Sequence, residues 1–409
     1  MGKYDKWMLL VTILLTGFGA LMIYSCTSVI TPGYAKKGVT EFFYFKRHMF
    51  TILIGFLFLF LSFKLKLSFL QRAAVPLLIL SLVLLVLVFL PGIGVSAGGA
   101  RRWIQLWPST FQPSELVKLS MVIFLARYLS LPDYQTDSFL SFIKPVLVML
   151  VFQAAILKQP DFGAAMSLAV LTFAMLFLSG TRLRYLAALS VFAIPVVVML
   201  ALEPYRLRRI TSFLNPWDDA QKSGFQLIQS FIALGSGGLT GVGLGSSIQK
   251  LSYLPESHTD FIFSIIGEEF GFIGVVAVIA LFLVLFMRGI EIANRKKDRF
   301  VHYLAIGLSL MISLQALINF AVATGLVPTK GLPLPFISYG GSSLLVNMCA
   351  IGMLLNISKE DDSAVIPHNH DLLIRRKARM RREAVRWRIG DPVARHSRQT
   401  PDSPPAVVI

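Results

Sequence analysis

The chain is poor in cysteine and poor in charge. Of 409 residues only two are cysteines, Cys26 and Cys349, and both lie inside apolar runs. That excludes a disulfide framework and a cysteine-based zinc site. Charged residues make up 15% of the chain, and Asp and Glu together number 22. A soluble protein of this length would carry about 25% charged residues. The glycine-rich stretches lack the Gly-Lys-Ser/Thr ending of a Walker A loop and do not fit the dinucleotide fingerprint, so they indicate no nucleotide site. No internal repeat is visible.

What is present is apolar. Hydrophobic residues reach 55% and mean hydropathy is +0.68. Runs of spanning length occur at 8–30, 48–63, 73–90, 116–131, 142–157, 162–179, 185–202, 261–287, 301–327 and 336–357. The expected fold is therefore an all-α polytopic membrane protein of about ten transmembrane helices. No small-residue cleavage site follows the first run, and bulky Tyr24 argues against lipoprotein processing at Cys26, so that run reads as a retained span.

An even number of spans puts both termini on one side. The segment 358–409 holds 11 of the 39 Lys/Arg and 7 of the 22 Asp/Glu, a net charge of +4. With the cluster Arg288, Arg295, Lys296, Lys297 and Arg299, it predicts cytoplasmic termini in the inner membrane. The formal charge of +17 suits a polybasic tail near anionic lipid better than a nucleic-acid site. The expected organisation is a transmembrane domain over 1–357, with a large extracytoplasmic loop at 203–259 between spans seven and eight. A basic, disordered cytoplasmic tail at 358–409 follows. The loop is too long for a plain linker. It carries an aromatic-basic stretch from Arg206 to Trp217 and a short amphipathic helix over 225–234.

Ionisable residues near the bilayer are costly, so each is a functional candidate. Here they are Glu115, Lys118, Lys158, Asp161, Asp260, Glu268 and Glu269. Asp260 stands where the long loop meets span eight. A helix cap would explain an Asp there, but Glu256, His258, Thr259 and Asp260 put more polar groups together than a cap requires. A carboxylate at that depth could act as general base on a sugar hydroxyl. Glu115 and Lys118, three apart, can pair on one helix face, or Lys118 can meet a phosphate. Ser114 and Pro113 suit the start of that helix, and Asp161 can cap span six. Arg101 and Arg102 beside Trp103, in what reads as a flexible loop, suit a pyrophosphate or simply lipid headgroups. Lys330 lies in the irregular, proline-rich approach to span ten. Gly267 and Gly271 read as a structural helix-packing pair, and Glu268 and Glu269 as facing other helices or the inner interface rather than as catalytic.

These stretches resemble the SEDS family (shape, elongation, division and sporulation), which includes FtsW, RodA and SpoVE. The matching pieces are Gly99-Ala-Arg-Arg-Trp103, Gln112-Pro-Ser-Glu115, Gln159-Pro-Asp-Phe-Gly163, the glycine-rich 235–250, Leu254-Pro-Glu-Ser-His-Thr-Asp-Phe-Ile-Phe263, Gly267-Glu-Glu269 and 328–343. They run in family order across 7–357, and the 250–256 and 331–343 segments look most like the division-type FtsW branch.

The resemblance implies a peptidoglycan glycosyltransferase. It would polymerise lipid II, an undecaprenyl-pyrophosphoryl disaccharide-pentapeptide, on the outer face of the membrane, in septal cell-wall synthesis. It implies that Asp260 deprotonates the acceptor 4-hydroxyl for inverting attack on the donor's anomeric carbon. Arg101, Arg102, Lys118 and Lys330 become candidates to stabilise the leaving pyrophosphate. Glu115, Lys118 and Asp161 are expected to gather near Asp260, with Glu256 and His258 as further substrate-binding candidates. A divalent cation, magnesium or manganese, could share the charge, and no nucleotide is needed. The implied partners are a class B penicillin-binding transpeptidase and other septal division proteins. Two rival readings are a lipid II flippase or transporter, since broken helices and buried polar residues also mark transporters, and a non-enzymatic scaffold of the division machinery.

Overall fold

The computed structural model describes residues 4–27, 43–97, 100–106, 109–221, 224–251, 254, 258–329 and 331–359. Glu256, Lys330 and the tail from residue 360 onward lie outside the described residues. Twelve helices are seen among them. The first seven are α1 (Lys6–Thr27), α2 (Phe43–Lys64), α3 (Leu67–Leu87), α4 (Pro113–Leu129), α5 (Phe139–Lys158), α6 (Phe162–Leu178) and α7 (Leu183–Ala201). The others are α8 (Pro204–Leu214), α9 (Phe225–Ser236), α10 (Ile262–Asn294), α11 (Arg299–Ala323) and α12 (Gly341–Lys359). Each of the ten predicted spans overlaps one of α1–α7 or α10–α12. Seven of these, α1, α2, α3, α5, α10, α11 and α12, are long and apolar enough to cross a membrane. The chain is a multi-pass membrane protein.

Burial separates inner from outer helices. The buried side chains of α4 lie on all its faces, as expected for a helix enclosed by others. It packs against α3, α6, α11 and α12. Helix α12 packs on α2, and α10 on α11 and α1. Helices α2, α3, α7 and the later part of α10 instead expose rows of large aliphatic and aromatic side chains, among them Leu53, Phe69, Val191 and Ile273. In a bilayer such faces meet lipid.

The two ends of the bundle are built differently. At one end Asp5 joins three helices. Its Oδ1 accepts from Met8 N at 2.9 Å, Arg288 Nε donates to its Oδ2 at 2.9 Å, and its backbone N–H donates to Ser358 Oγ at 3.0 Å. The start of α1 and the far ends of α10 and α12 therefore lie together. At the opposite end the 91–111 connection folds into an antiparallel three-stranded sheet of β1 (Gly94–Ala97), β2 (Ala100–Leu106) and β3 (Ser109–Phe111). Val95 pairs with Trp103 and Ile104 with Phe111. This corrects the expectation of a flexible loop around Arg101 and Arg102. Arg102-Trp103-Ile104-Gln105 does not alternate apolar with polar, so period two gave no signal for this strand.

The connection between α7 and α10 is ordered where described. It holds α8, a 3-10 turn at Pro216–Asp219, α9 and the glycine-rich stretch.

Helix α10 departs from a plain span. Gly271 sits at φ 66°, ψ −163° and divides it. The glycine-rich stretch docks into that break: Val242 N and Gly243 N donate to the carbonyls of Glu268 and Glu269 at 3.0 Å, and Phe272 N donates to Gly238 O at 2.9 Å. A Cβ on Gly271 would meet Gly241 N at 2.4 Å. Gly267 and Gly271 thus pack closely, as expected, but against this stretch and α9 rather than another spanning helix.

Candidate functional site

Three pieces of chain meet at the sheet end of the bundle. These are residues 258–260 ahead of α10, the irregular segment 331–340 ahead of α12, and the end of α11. Segment 331–340 has no regular ladder, so its backbone groups need other partners. Leu334 N donates to Ser338 Oγ at 2.8 Å, Ser338 Oγ donates to Thr259 O at 2.5 Å, and Tyr339 N donates to His258 O at 2.9 Å. Phe336, almost fully buried, is held at φ 65°, a conformation that costs a non-glycine residue about 1–2 kcal/mol. Surrounding contacts must over-determine it.

Asp260 is fixed by this arrangement. Asn319 Nδ2 donates to its backbone carbonyl at 2.9 Å and to Leu332 O at 2.8 Å. The carboxylate lies against Gly331, where a Cβ would come within 3.1 Å of Oδ2. The cap position of α10 is Phe261, with no side-chain cap bond. Asp260 is therefore not at the cap position that would have explained it. His258 contributes its carbonyl to Tyr339, and its ring joins an aromatic group. It lies 5.5 Å from the Tyr44 ring and 5.8 Å from that of Tyr339. Burial pushes the Tyr339 phenol above its ordinary value.

Beneath lies a buried polar chain. Lys118 Nζ pairs with Glu115 Oε1 at 2.8 Å and donates to Gln315 Oε1 at 2.8 Å. Gln315 Nε2 in turn donates to Pro333 O at 2.9 Å and Ser343 Oγ at 2.8 Å. Lys118 is 3% exposed and Glu115 2%. The pairing reading of these two residues is the one the structure shows. Lys118 Nζ uses two of its three donors inside the bundle, on Glu115 and Gln315. Ser114 is reassigned: Gln112 is the N-cap of α4, Pro113 follows it, and Ser114 Oγ is buried without a partner.

The remaining candidates Asp161 and Arg102 each have partners of their own. Asp161 caps α6 through Ala164 N at 3.1 Å and accepts from Gln112 Nε2 at 2.9 Å. Gln112 N donates to Ser342 Oγ at 2.8 Å, so Asp161 is tied to the start of α12, and none of its bonds reaches Asp260. Arg102 is engaged by the carbonyls of Gln159 and Pro160 at 3.3 and 2.6 Å, clamping the sheet to the α5–α6 link. Arg101 is exposed on the same strand. Glu269 holds Ser25 of α1 and Lys250, so it faces another helix as expected; Glu268 holds Ser247 Oγ and Ile248 N of the glycine-rich stretch, instead of a helix or the inner interface.

Among the described residues no three His, Cys, Asp or Glu side chains gather to hold a metal ion. Gln315 and Asn319 escaped the sequence reading. The signal was there: two carboxamides four apart, on one face of an otherwise apolar helix.

Comparison with known proteins agrees with this architecture. The family model described as cell cycle protein, FTSW_RODA_SPOVE, matches residues 5–363. The "Probable peptidoglycan glycosyltransferase FtsW" of Geobacter sp. strain M18 is 45% identical over 357 residues, covering 87% of this chain and 96% of that protein. The protein of the same name from Escherichia coli O6:H1 strain CFT073 is 43% identical, over 87% of this chain and 86% of its own length. Among solved structures, a chain of a peptidoglycan synthase complex that coordinates polymerization and crosslinking superposes with a TM-score of 0.71 at 29% identity. It covers 87% of this chain and 97% of that one. Thermus thermophilus RodA, the rod shape determining protein, superposes at 0.64 and 28% identity, over 88% and 98%. The SEDS resemblance is thus borne out, and the chain belongs to the FtsW/RodA/SpoVE family of cell cycle proteins.

Proposed function

We infer that the chain is a peptidoglycan glycosyltransferase that polymerises lipid II into glycan strands, with Asp260 as its general base. The observation that carries this reading is the setting of Asp260. Its backbone is held by Asn319, its carboxylate lies beside the exposed Gly331, and it stands at the bundle end opposite Asp5 and Ser358. Arg288, Arg295 and Arg299 belong to the Asp5 end, which the positive-inside rule makes cytoplasmic. Both termini are then inside, and Asp260 faces outward.

The reaction follows from that position. Asp260 takes the proton of the acceptor sugar's 4-hydroxyl. The freed oxygen bonds to the donor's anomeric carbon with inversion. The bond from that carbon to the pyrophosphate oxygen breaks, and the electron pair leaves with polyprenyl pyrophosphate. Negative charge grows on the leaving group and calls for fixed cations. Arg101 on the sheet, and Lys330 next to Gly331 in the chain, suit this task; Lys118 and Arg102 are otherwise engaged. A magnesium or manganese ion would share the negative charge on the pyrophosphate.

The synthase complex among the structural relatives supports a class B penicillin-binding transpeptidase as partner. Similarity to FtsW proteins supports action with septal proteins at the division site. Incubation of labelled lipid II with the purified chain, with and without its transpeptidase, tests the activity. Glycan chains support the transferase. Movement of lipid II across vesicles without glycan would instead make the chain a flippase, and neither result would leave a scaffold.

A further inference from the structure

Two neutral side chains lie between the buried ion pair and the base, and nothing in the reaction accounts for them. Gln315 and Asn319 stand one turn apart on α11, and both are almost fully buried. Each donates twice. Asn319 Nδ2 holds Asp260 O and Leu332 O, and Gln315 Nε2 holds Pro333 O and Ser343 Oγ. Consecutive carbonyls of segment 331–340 are thus hung on one helix face, and Asp260 hangs beside them.

We propose that Asn319 and Gln315 are positioning residues, which hold the Asp260 carboxylate at its working distance from segment 331–333. This rests on the reading of Asp260 as general base. Three observations carry it.

Gly331, directly before the two suspended carbonyls, is what the carboxylate lies against. A shift of Leu332 and Pro333 therefore moves the wall of the base. Asn319 bridges both sides of that contact with one nitrogen, so it fixes their relative position and not merely each one. Finally, Gln315 has its orientation dictated. A carboxamide can flip, exchanging donor and acceptor. Lys118 Nζ, a donor only, sits at Oε1, so Nε2 must face Pro333. The Glu115–Lys118 pair acts on the site through this amide. Its ion pair selects one of two orientations, and the amide transmits the choice to segment 331–333.

The setting matters because a base displaced by about 1 Å can cost roughly 100-fold in rate. The test uses the chain with its transpeptidase and labelled lipid II, with rates expressed per bound lipid II so that misfolded protein does not count. Asn319→Leu and Gln315→Met keep the size of each side chain and remove its donors. Each is expected to lower kcat by roughly 10- to 100-fold with KM within about twofold, while Asn319→Gln, which keeps the donor, recovers much of the Asn319→Leu loss. A merely structural role would lower the number of binding sites and leave the rate per site unchanged.

Asp260→Ala is run alongside. If it is inactive while both donor-free variants turn over within twofold of wild type per site, positioning is overturned and the base assignment stands. If Asp260→Ala retains polymerisation, the base assignment itself fails and the proposal with it. Should Asn319→Leu not fold, Gln315→Met decides by the same criteria.

Discussion

Lys250 Nζ lies 3.0 Å from Glu269 Oε1, and both side chains are almost wholly out of solvent. Ser25 Oγ completes the group, 3.1 Å from Lys250 Nζ and 2.7 Å from Glu269 Oε1. One buried pair thus joins α1, the glycine-rich stretch and the short first part of α10. Removing one partner leaves the other charge buried and unpaired, at a cost of about 3–5 kcal/mol. Lys250→Met is expected to lower thermal stability in detergent sharply. Adding Glu269→Leu should recover most of the loss. A single variant as stable as wild type would show that the pair does not hold these elements together.

Gly271 offers a second test. An alanine there would need φ 66° and ψ −163°, and would press its Cβ onto Gly241 N and the Leu239 carbonyl. The glycine-rich stretch would have to leave the break in α10. Gly271→Ala should therefore expose the 237–250 stretch to limited proteolysis and destabilise the protein by about 2 kcal/mol or more. Proteolysis at the wild-type rate would contradict this docking.

The Glu115–Lys118 pair predicts reciprocal behaviour. Lys118→Met alone strands Glu115, whose Oε2 already has no partner, and should cost about 3–5 kcal/mol. Lys118→Met combined with Glu115→Gln removes both charges and should regain most of the stability. Thermal unfolding of the two proteins checks the order. If the double variant is no more stable than the single, the two charges do not compensate one another.

The spans were legible because a bilayer demands long apolar runs, and ten runs became ten helices. Glu269 was legible as facing another helix, because a carboxylate inside a span needs a partner; that Glu268 meets the outer glycine-rich stretch was not. What the sequence concealed were distant partnerships. Lys250 reads as one more loop cation until Glu269 and Ser25 are beside it. Asp5 and Arg288, 283 residues apart, show no local pattern. The break at Gly271 also escaped, because glycine is common in membrane helices and φ is not written in residue type. At the site, Asp260 stood out by its type and depth. The roles of Gln315 and Asn319 depend on carbonyls of an irregular segment whose path no periodicity predicts.

Gly331 tests the position of the base without touching the core. It is exposed, so the fold should tolerate Gly331→Ala. Its Cβ would stand 3.1 Å from Asp260 Oδ2, close enough to push the carboxylate by a few tenths of an ångström. Lipid II polymerisation is expected to slow by roughly tenfold, with unfolding temperature unchanged. A wild-type rate would mean that the carboxylate works elsewhere than against Gly331.

The most direct test of the account is the polymerisation rate of Asp260→Asn against wild type, in the presence of the transpeptidase. Asparagine keeps the shape of the side chain and its place beside Gly331 but cannot accept the acceptor's proton. The account predicts a properly folded protein that binds lipid II and makes no glycan. Glycan strands formed at a rate near wild type would contradict Asp260 as the general base.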